Sequence, residues 1–171
     1  MAATNAVERG FTLRRILNAP RDLVFQAWTD PAHLQWYFNP SMPLPSEPIE
    51  VDLRVGGAWR VKMVINEKLQ YFTGGIYREI VPGEKLVFTW GAVDGWPKVD
   101  SDHLEDCPLV TVTLNELGAR GEKTEMIFQV ALSEQLSDEQ VREWLATGMR
   151  VGWSDTIDRI VTNFADATGN D

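Results

Sequence analysis

A succession of short alternating segments between residues 49 and 132 limits the possible folds of this chain more than any other feature. Apolar residues occupy every second position from Trp59 to Ile65, which is the period of a strand with one face toward a core and one toward water. Turn residues such as Gly56-Gly57 and Pro82-Gly83 separate consecutive segments, as they do in hairpins. The segments therefore predict an antiparallel sheet.

A strand and two short helices are predicted ahead of this region. Phe11 to Leu17 reads as the first strand of the sheet. Pro20 suits the first turn of a helix, where its missing N–H costs nothing. Asp30-Pro31 then begins a second short helix that is expected to continue through Tyr37.

One long helix is predicted at the C-terminal end. Ser137 stands at its N-cap, with Gln140 at the partner position of a capping box. Apolar residues then recur at three- and four-residue steps as far as Phe164, so the helix would have about 28 residues and a length of roughly 42 Å. The order of elements gives the α+β class, an antiparallel sheet of about seven strands with helices on one face. Residues 1–171 are interpreted as one domain with an ordered core over about 9–166.

Charge and cysteine usage exclude several classes of function. The net charge of −9 disfavours binding to phosphate backbones and to anionic lipid surfaces. Cys107 is the single cysteine, so no intramolecular disulfide can form, which fits a reducing compartment. Residues 1–9 lack the apolar core of a secretory signal, and no apolar run approaches the length of about 18 residues typical of a membrane span. We therefore expect a cytoplasmic protein with neither nucleic-acid binding nor membrane insertion.

Ordered blocks of residues resemble the Hsp90 ATPase activator homologue 1-like family. They are RILNAP at 15–20, VFQAWTDP at 24–31, LQWY at 34–37, DLRVGGAW at 52–59, GGIYREIVPGEKLVFTW at 74–90 and GW at 152–153. The resemblance runs from about residue 11 to residue 165 and implies the START-like, or Bet v 1-like (SRPBCC), superfamily. Its members wrap a curved helix-grip sheet around a long C-terminal helix and enclose an apolar cavity, and they include lipid and hormone binders and polyketide cyclases. The segment 91–107 departs from the family in being longer and more acidic than a simple hairpin.

Large apolar residues are expected to point between the sheet and the long helix, where a pocket would form. They are Trp59, Met63, Phe72, Phe88, Trp90, Met126, Phe128, Met149 and Trp153. Trp36 and Phe38 precede a proline-rich loop and are predicted to lie at the cavity mouth. The candidates for a polar group in the cavity are Tyr77, Arg78 and Glu79. A bulge or bend is expected at Gly74-Gly75, so the sequence does not decide which face of the sheet carries each of these side chains.

The sequence contains no nucleophile elbow, phosphate loop, dinucleotide fingerprint or zinc-type spacing, so no catalytic residue, metal or cofactor is predicted. The leading hypothesis is a protein that binds a small apolar, aromatic or lipid-like ligand. A cavity-based enzyme of the cyclase, dehydratase or hydrolase kind is an alternative, for which Glu79, Tyr77, His33 and Asp52 are the candidate acids and bases. The family name suggests a chaperone ATPase regulator. We do not expect this role, because the eukaryotic activator carries an additional N-terminal domain, whereas this chain is interpreted as one domain. Monomer and homodimer both remain open.

Overall fold

A computed structural model of the chain describes residues 9–34, 45–64, 66–92 and 107–165. In chain order its elements are β1 (Gly10–Leu17), α1 (Arg21–Thr29), β2 (Glu50–Val51), β3 (Ala58–Val64), β4 (Gln70–Val81), β5 (Lys85–Thr89), β6 (Gly91–Ala92), β7 (Leu109–Leu117), β8 (Lys123–Ala131), α2 (Asp138–Ala146) and α3 (Met149–Ala165). None of the helices in these ranges is both long and apolar enough to cross a membrane.

The strands form a curved antiparallel sheet in the order β1-β8-β7-β5-β4-β3-β2, with the short β6 paired to β4. Consecutive strands pair as hairpins at β3–β4, β4–β5 and β7–β8. The first and last strands are neighbours in the sheet, because β1 pairs with β8 along its whole length. The predicted α+β class and the antiparallel sheet of about seven strands are confirmed.

The helices cover one face of the sheet with apolar stripes. On α3, Met149, Trp153, Ile157 and Ile160 are buried and follow helical spacing. The buried residues of α1 include Trp28, which carries the largest side chain of that helix. The core therefore lies between the concave face of the sheet and these helices.

The C-terminal helical segment is interrupted, and the prediction of one uninterrupted helix is wrong. The helix α2 ends at Ala146 with Thr147 as its C-cap, and Gly148 has a φ of +93°, in the left-handed region that favours glycine and terminates helices. The separate helix α3 then runs for 17 residues. The predicted capping box is confirmed, since the Ser137 hydroxyl accepts from the Gln140 N–H at 3.1 Å and the Gln140 side chain accepts from the Ser137 N–H at 2.8 Å.

The second short helix is reduced to a 3₁₀ turn at Pro31–His33 in the described part of the chain. The carboxylate of Asp30 accepts a hydrogen bond from the Ala32 N–H at 2.9 Å, as expected for a capping residue. The continuation through Tyr37 lies outside the described residues.

Candidate ligand-binding site

Seven aromatic side chains lie in the layer between sheet and helices. We call them the aromatic cluster, and they are Trp28, Trp59, Tyr77, Phe88, Trp90, Phe128 and Trp153. Each is at most 5% exposed. The cluster therefore belongs to the interior of the molecule.

The rings of the cluster touch in an unbroken series. The Trp90 and Trp153 ring centroids lie 5.1 Å apart, and Phe128 lies 4.6 Å from Trp153 and 5.9 Å from Trp28. The series continues from Trp28 to Phe88 at 6.3 Å. These separations fall in the range of favourable tilted and edge-to-face pairs. One continuous aromatic surface thus joins α3 to α1 across the sheet.

The ring of Phe88 joins this series to β3 and β4. Its centroid lies 5.2 Å from that of Trp59 and 6.3 Å from that of Tyr77, and both pairs are nearly perpendicular. Strand register explains the meeting, because Tyr77 is directly opposite Phe88 in the β4–β5 pair. Gly75 is opposite Trp59, and a Cβ at Gly75 would lie 3.1 Å from the Trp59 Nε1 atom. The missing side chain of Gly75 therefore leaves room for the indole.

One gap that the described residues form among these side chains is closed. The gap, lined by Trp28, Leu34, Trp59, Tyr77, Leu86 and Phe88, has a free volume of about 0 Å³, too small for one water molecule. A ligand can reach this gap only if some of the lining side chains move. The predicted mouth residues Trp36 and Phe38, and residues 93–106 of the acidic segment, lie outside the described residues.

Most of the apolar residues predicted for the inner face are found there. Those that are buried are Trp59, Phe88, Trp90, Met126, Phe128, Met149 and Trp153. Met63 is half-buried and packs against the core. Trp28, Leu34 and Leu86 also line the gap but were missing from the predicted set. The apolar face of α1 was the signal that could have identified Trp28.

Phe72 lies on the opposite face of the sheet from the cluster, which corrects its predicted position. It is directly opposite Lys62 in the β3–β4 pair, on the face that also carries Arg60. The Arg60 guanidinium carbon lies 3.7 Å from the centre of the Phe72 ring, a cation–π contact. Neighbouring residues Tyr71 and Phe72 are both aromatic, so the sequence pattern did not distinguish the two faces.

A register shift in β4 determines where the three candidate polar residues point. The shift lies between Tyr77 and Glu79 rather than at the predicted Gly74-Gly75. Tyr77 is 2% exposed and belongs to the inner face. Arg78 and Glu79 are both exposed, and Glu79 pairs with Lys85 at 3.3 Å. Of the three candidates, only Tyr77 therefore contributes a polar group to the cluster.

The buried threonines of the described chain have hydrogen-bond partners. The hydroxyls of Thr29, Thr73 and Thr124 donate to backbone carbonyls at 2.7–3.0 Å. The Thr89 hydroxyl accepts from the Ile76 N–H at 2.9 Å. These four hydroxyls are engaged in holding the fold together.

Burial raises the pKa of the Tyr77 phenol well above its ordinary value, and the nearby Asp52 carboxylate raises the pKa further. The phenol is therefore protonated at neutral pH. The other acids and bases that an enzyme would need, His33, Asp52 and Glu79, are exposed. In the part of the chain that the structure describes, no group of three His, Cys, Asp or Glu side chains could hold a metal ion.

Comparisons with known proteins agree with this architecture. Protein Ms6760 from Mycobacterium smegmatis superposes with a TM-score of 0.70 at 20% identity, over 93% of this chain and 92% of its own. Protein CV1439 from Chromobacterium violaceum gives 0.61 at 24% identity, over 91% and 97% of the two chains. DynU16, from a dynemicin biosynthetic locus, gives 0.58 at 18% identity, and the match covers 91% of this chain but 46% of DynU16. These likenesses show a shared fold.

No curated protein matches the sequence. The family model described as Activator of Hsp90 ATPase homolog 1-like protein matches residues 18–165, which include α1, the strands from β2 to β8, α2 and α3. The chain therefore belongs to the Activator of Hsp90 ATPase homolog 1-like family.

Proposed function

We propose that this protein binds a small apolar or aromatic molecule at the aromatic cluster, between the sheet and the helices. The observation that carries the proposal is the unbroken series of ring contacts from Trp90 on the sheet, through Trp153 on α3, to Trp28 on α1. A planar ligand placed there would meet ring faces and edges on several sides. The helix-grip fold shared with DynU16, which comes from a biosynthetic locus, is consistent with a role in handling small molecules.

Binding in the gap beside Trp28, Trp59 and Phe88 requires its lining side chains to move, because that gap is closed. Two methionines of the core make such a rearrangement feasible. Met126 and Met149 are fully buried, and their flexible side chains can adapt to altered neighbours. The Met126 sulfur accepts a hydrogen bond from the Trp28 indole N–H at 3.3 Å, and a thioether is a weak acceptor. The open form is then a minor state, and the apparent affinity is reduced by its population.

The positions of the titratable groups favour binding over acid–base catalysis. Glu79 points outward, where it pairs with Lys85. His33 and Asp52 are likewise exposed. Tyr77 does belong to the cluster, but its raised pKa makes the phenolate form needed for a general base scarce at neutral pH.

A fluorescence titration with the neutral dye N-phenyl-1-naphthylamine tests the proposal. We expect saturable binding of one dye per chain, with energy transfer from tryptophan to the dye. Trp153→Leu, inside the cluster, should change the dissociation constant severalfold. Phe72→Leu, on the opposite face of the sheet, should leave it within about twofold. A signal that rises linearly without saturation, or equal effects of the two variants, would contradict binding at the cluster.

A further inference from the structure

One edge of β1 pairs with β8, and the other edge carries no strand in the described part of the chain. The direction of the peptide groups in β1 follows from the Arg9 carbonyl, which accepts from the Leu132 N–H at 2.7 Å and so continues the β1–β8 register. Successive residues of a strand direct their N–H and C=O groups to opposite edges. The even-numbered residues of β1 therefore direct these groups to the free edge: Gly10, Thr12, Arg14 and Ile16.

This free edge is suited to pairing with a strand of another molecule. It is eight residues long, and the side chains of Thr12, Arg14 and Ile16 beside it are exposed. Between residues that the structure describes, the Arg14 carbonyl is the one edge-facing backbone group that takes part in a hydrogen bond. A row of unpaired N–H and C=O groups is a template for a further strand.

Arg15 closes the middle of the edge with its guanidinium. The Nη1 atom donates to the edge-facing carbonyl of Arg14 at 2.9 Å. The Nε atom donates to the Asp158 carboxylate and the Nη2 atom to the Ser154 hydroxyl, each at 2.7 Å, and both acceptors belong to α3. The Arg15 side chain is 23% exposed, which fits a group held in place. Arg15 therefore occupies an acceptor of the edge and holds α3 beside β1.

The sequence of β1 allows antiparallel pairing with β1 of a second copy of this chain. In a pair whose two-fold axis passes through Leu13, edge-facing residues lie opposite edge-facing residues and can exchange hydrogen bonds. The pairs are Thr12 with Arg14 and Gly10 with Ile16. No arginine then lies directly opposite an arginine, so the strand is compatible with itself in charge. In this register the Arg14 carbonyl would accept from Thr12 of the second copy, and it is the acceptor that Arg15 occupies.

We propose that the free edge of β1 is a self-association surface that Arg15 keeps closed. A second copy can pair there only if the Arg15 guanidinium leaves the Arg14 carbonyl and α3 moves away from the strand. The bond from Arg15 to Asp158 resists this movement, because a hydrogen bond between two charged groups is among the stronger ones. The unmodified protein is therefore a monomer. This inference does not depend on ligand binding at the aromatic cluster.

Sedimentation velocity over a range of protein concentrations tests the proposal on the whole chain. The unmodified protein should give one species whose sedimentation coefficient does not rise with concentration. Arg15→Ala should add a second species of twice the mass, in a proportion that grows with concentration. Arg54→Ala is the matched control, because it also removes an arginine that pairs with an aspartate, Asp52 at 2.8 Å, but lies outside β1. This control should remain monomeric.

Amide hydrogen exchange then locates the contact. In the unmodified protein the N–H groups of Thr12, Arg14 and Ile16 should exchange quickly, whereas those of Leu13 and Arg15, which point to β8, should be protected. In concentrated Arg15→Ala the three edge amides should exchange at least about tenfold more slowly.

A second substitution should reverse the association. Thr12→Pro removes an N–H that faces the free edge, where proline is tolerated in a strand. Thr12→Pro combined with Arg15→Ala should therefore be monomeric again. If Arg15→Ala does not fold, Asp158→Ala takes its place, because Asp158 is exposed and its loss also releases the guanidinium from α3. It should give the same second species.

Several results would overturn the proposal. Arg15→Ala may form no second species at any concentration, or one whose edge amides exchange as fast as before. The second species may also persist when Thr12→Pro is added. Slow exchange of the edge amides in the unmodified monomer would show that the edge is already covered, and an unmodified protein that dimerises through β1 would show that Arg15 does not close it.

Discussion

Truncation of Phe128 should measure how tightly the aromatic cluster is packed. Phe128 is fully buried, with the rings of Trp153 and Trp28 on either side at 4.6 and 5.9 Å. Phe128→Ala removes a phenyl group from between two large indoles that have little room to rearrange. Replacements of this kind in packed cores cost about 3–5 kcal/mol. That loss is a large part of the 5–15 kcal/mol or so by which folded proteins are stable.

The same deletion on the other face of the sheet is the matched control. Phe72 is half-buried, and its ring contacts the Arg60 guanidinium at 3.7 Å. A cation–π contact at an exposed site contributes about 0.5–1 kcal/mol, and partial burial of the ring adds about 1 kcal/mol. Phe72→Ala should therefore cost about 1.5–2 kcal/mol in total.

Urea unfolding followed by far-UV circular dichroism would measure both variants. The slopes of free energy against urea should agree among the three proteins, so that a change in midpoint reports a change in stability. We expect Phe128→Ala to cost roughly 2–3 kcal/mol more than Phe72→Ala. Equal losses, or a loss under about 2 kcal/mol for Phe128→Ala, would refute close packing around Phe128 and indicate unfilled space beside it.

Three further predictions concern the sheet, a helix cap and the response to acid. Gly75→Ala should destabilise the protein by about 1–3 kcal/mol, because the new Cβ would lie 1.6 Å from the Thr89 carbonyl oxygen, and an unchanged melting temperature would contradict this contact. Ser137→Ala should cost about 1 kcal/mol in urea unfolding through loss of the N-cap, and no loss would mean that α2 does not depend on it. The Asn115 side chain, which donates a hydrogen bond to Glu125 at 3.1 Å, is the main cause that lowers the Glu125 pKa below its ordinary 4.5. The stability that comes from this lowered pKa is present above pH 4.5 and is lost as the pH falls through the pKa of Glu125 in the folded protein. Asn115→Ala should therefore raise the titration midpoint of the Glu125 carboxyl, measured by NMR. A midpoint of 4.5 or more in the unmodified protein would contradict the prediction.

The sequence was sufficient for the elements whose signals are local. Alternation from Trp59 to Ile65 predicted β3, and the turn residues Pro82-Gly83 predicted the hairpin between β4 and β5. The capping box at Ser137 could also be predicted from the sequence, because both of its hydrogen bonds join residues three positions apart.

Features that depend on contacts between residues far apart in the chain could not be predicted from the sequence. The facing of Tyr77 follows from a register shift against β5, which the sequence of β4 alone does not locate. The break at Gly148 was missed because apolar residues continue at helical spacing on both sides of it. Whether the inner face encloses a cavity depends on how Trp28 from α1 fits against Trp59 and Phe88, which only the folded structure reveals.

The most direct test of ligand binding at the aromatic cluster follows the tryptophan indole N–H signals by NMR as methyl 2-naphthyl ketone is added. Binding at the cluster should shift the signals of Trp28, Trp90 and Trp153 together, because their rings belong to one contact series. The three shifts should saturate at one ligand per chain. If these signals stay in place, or drift in proportion to ligand without a plateau, the cluster is a packed core and not a binding site.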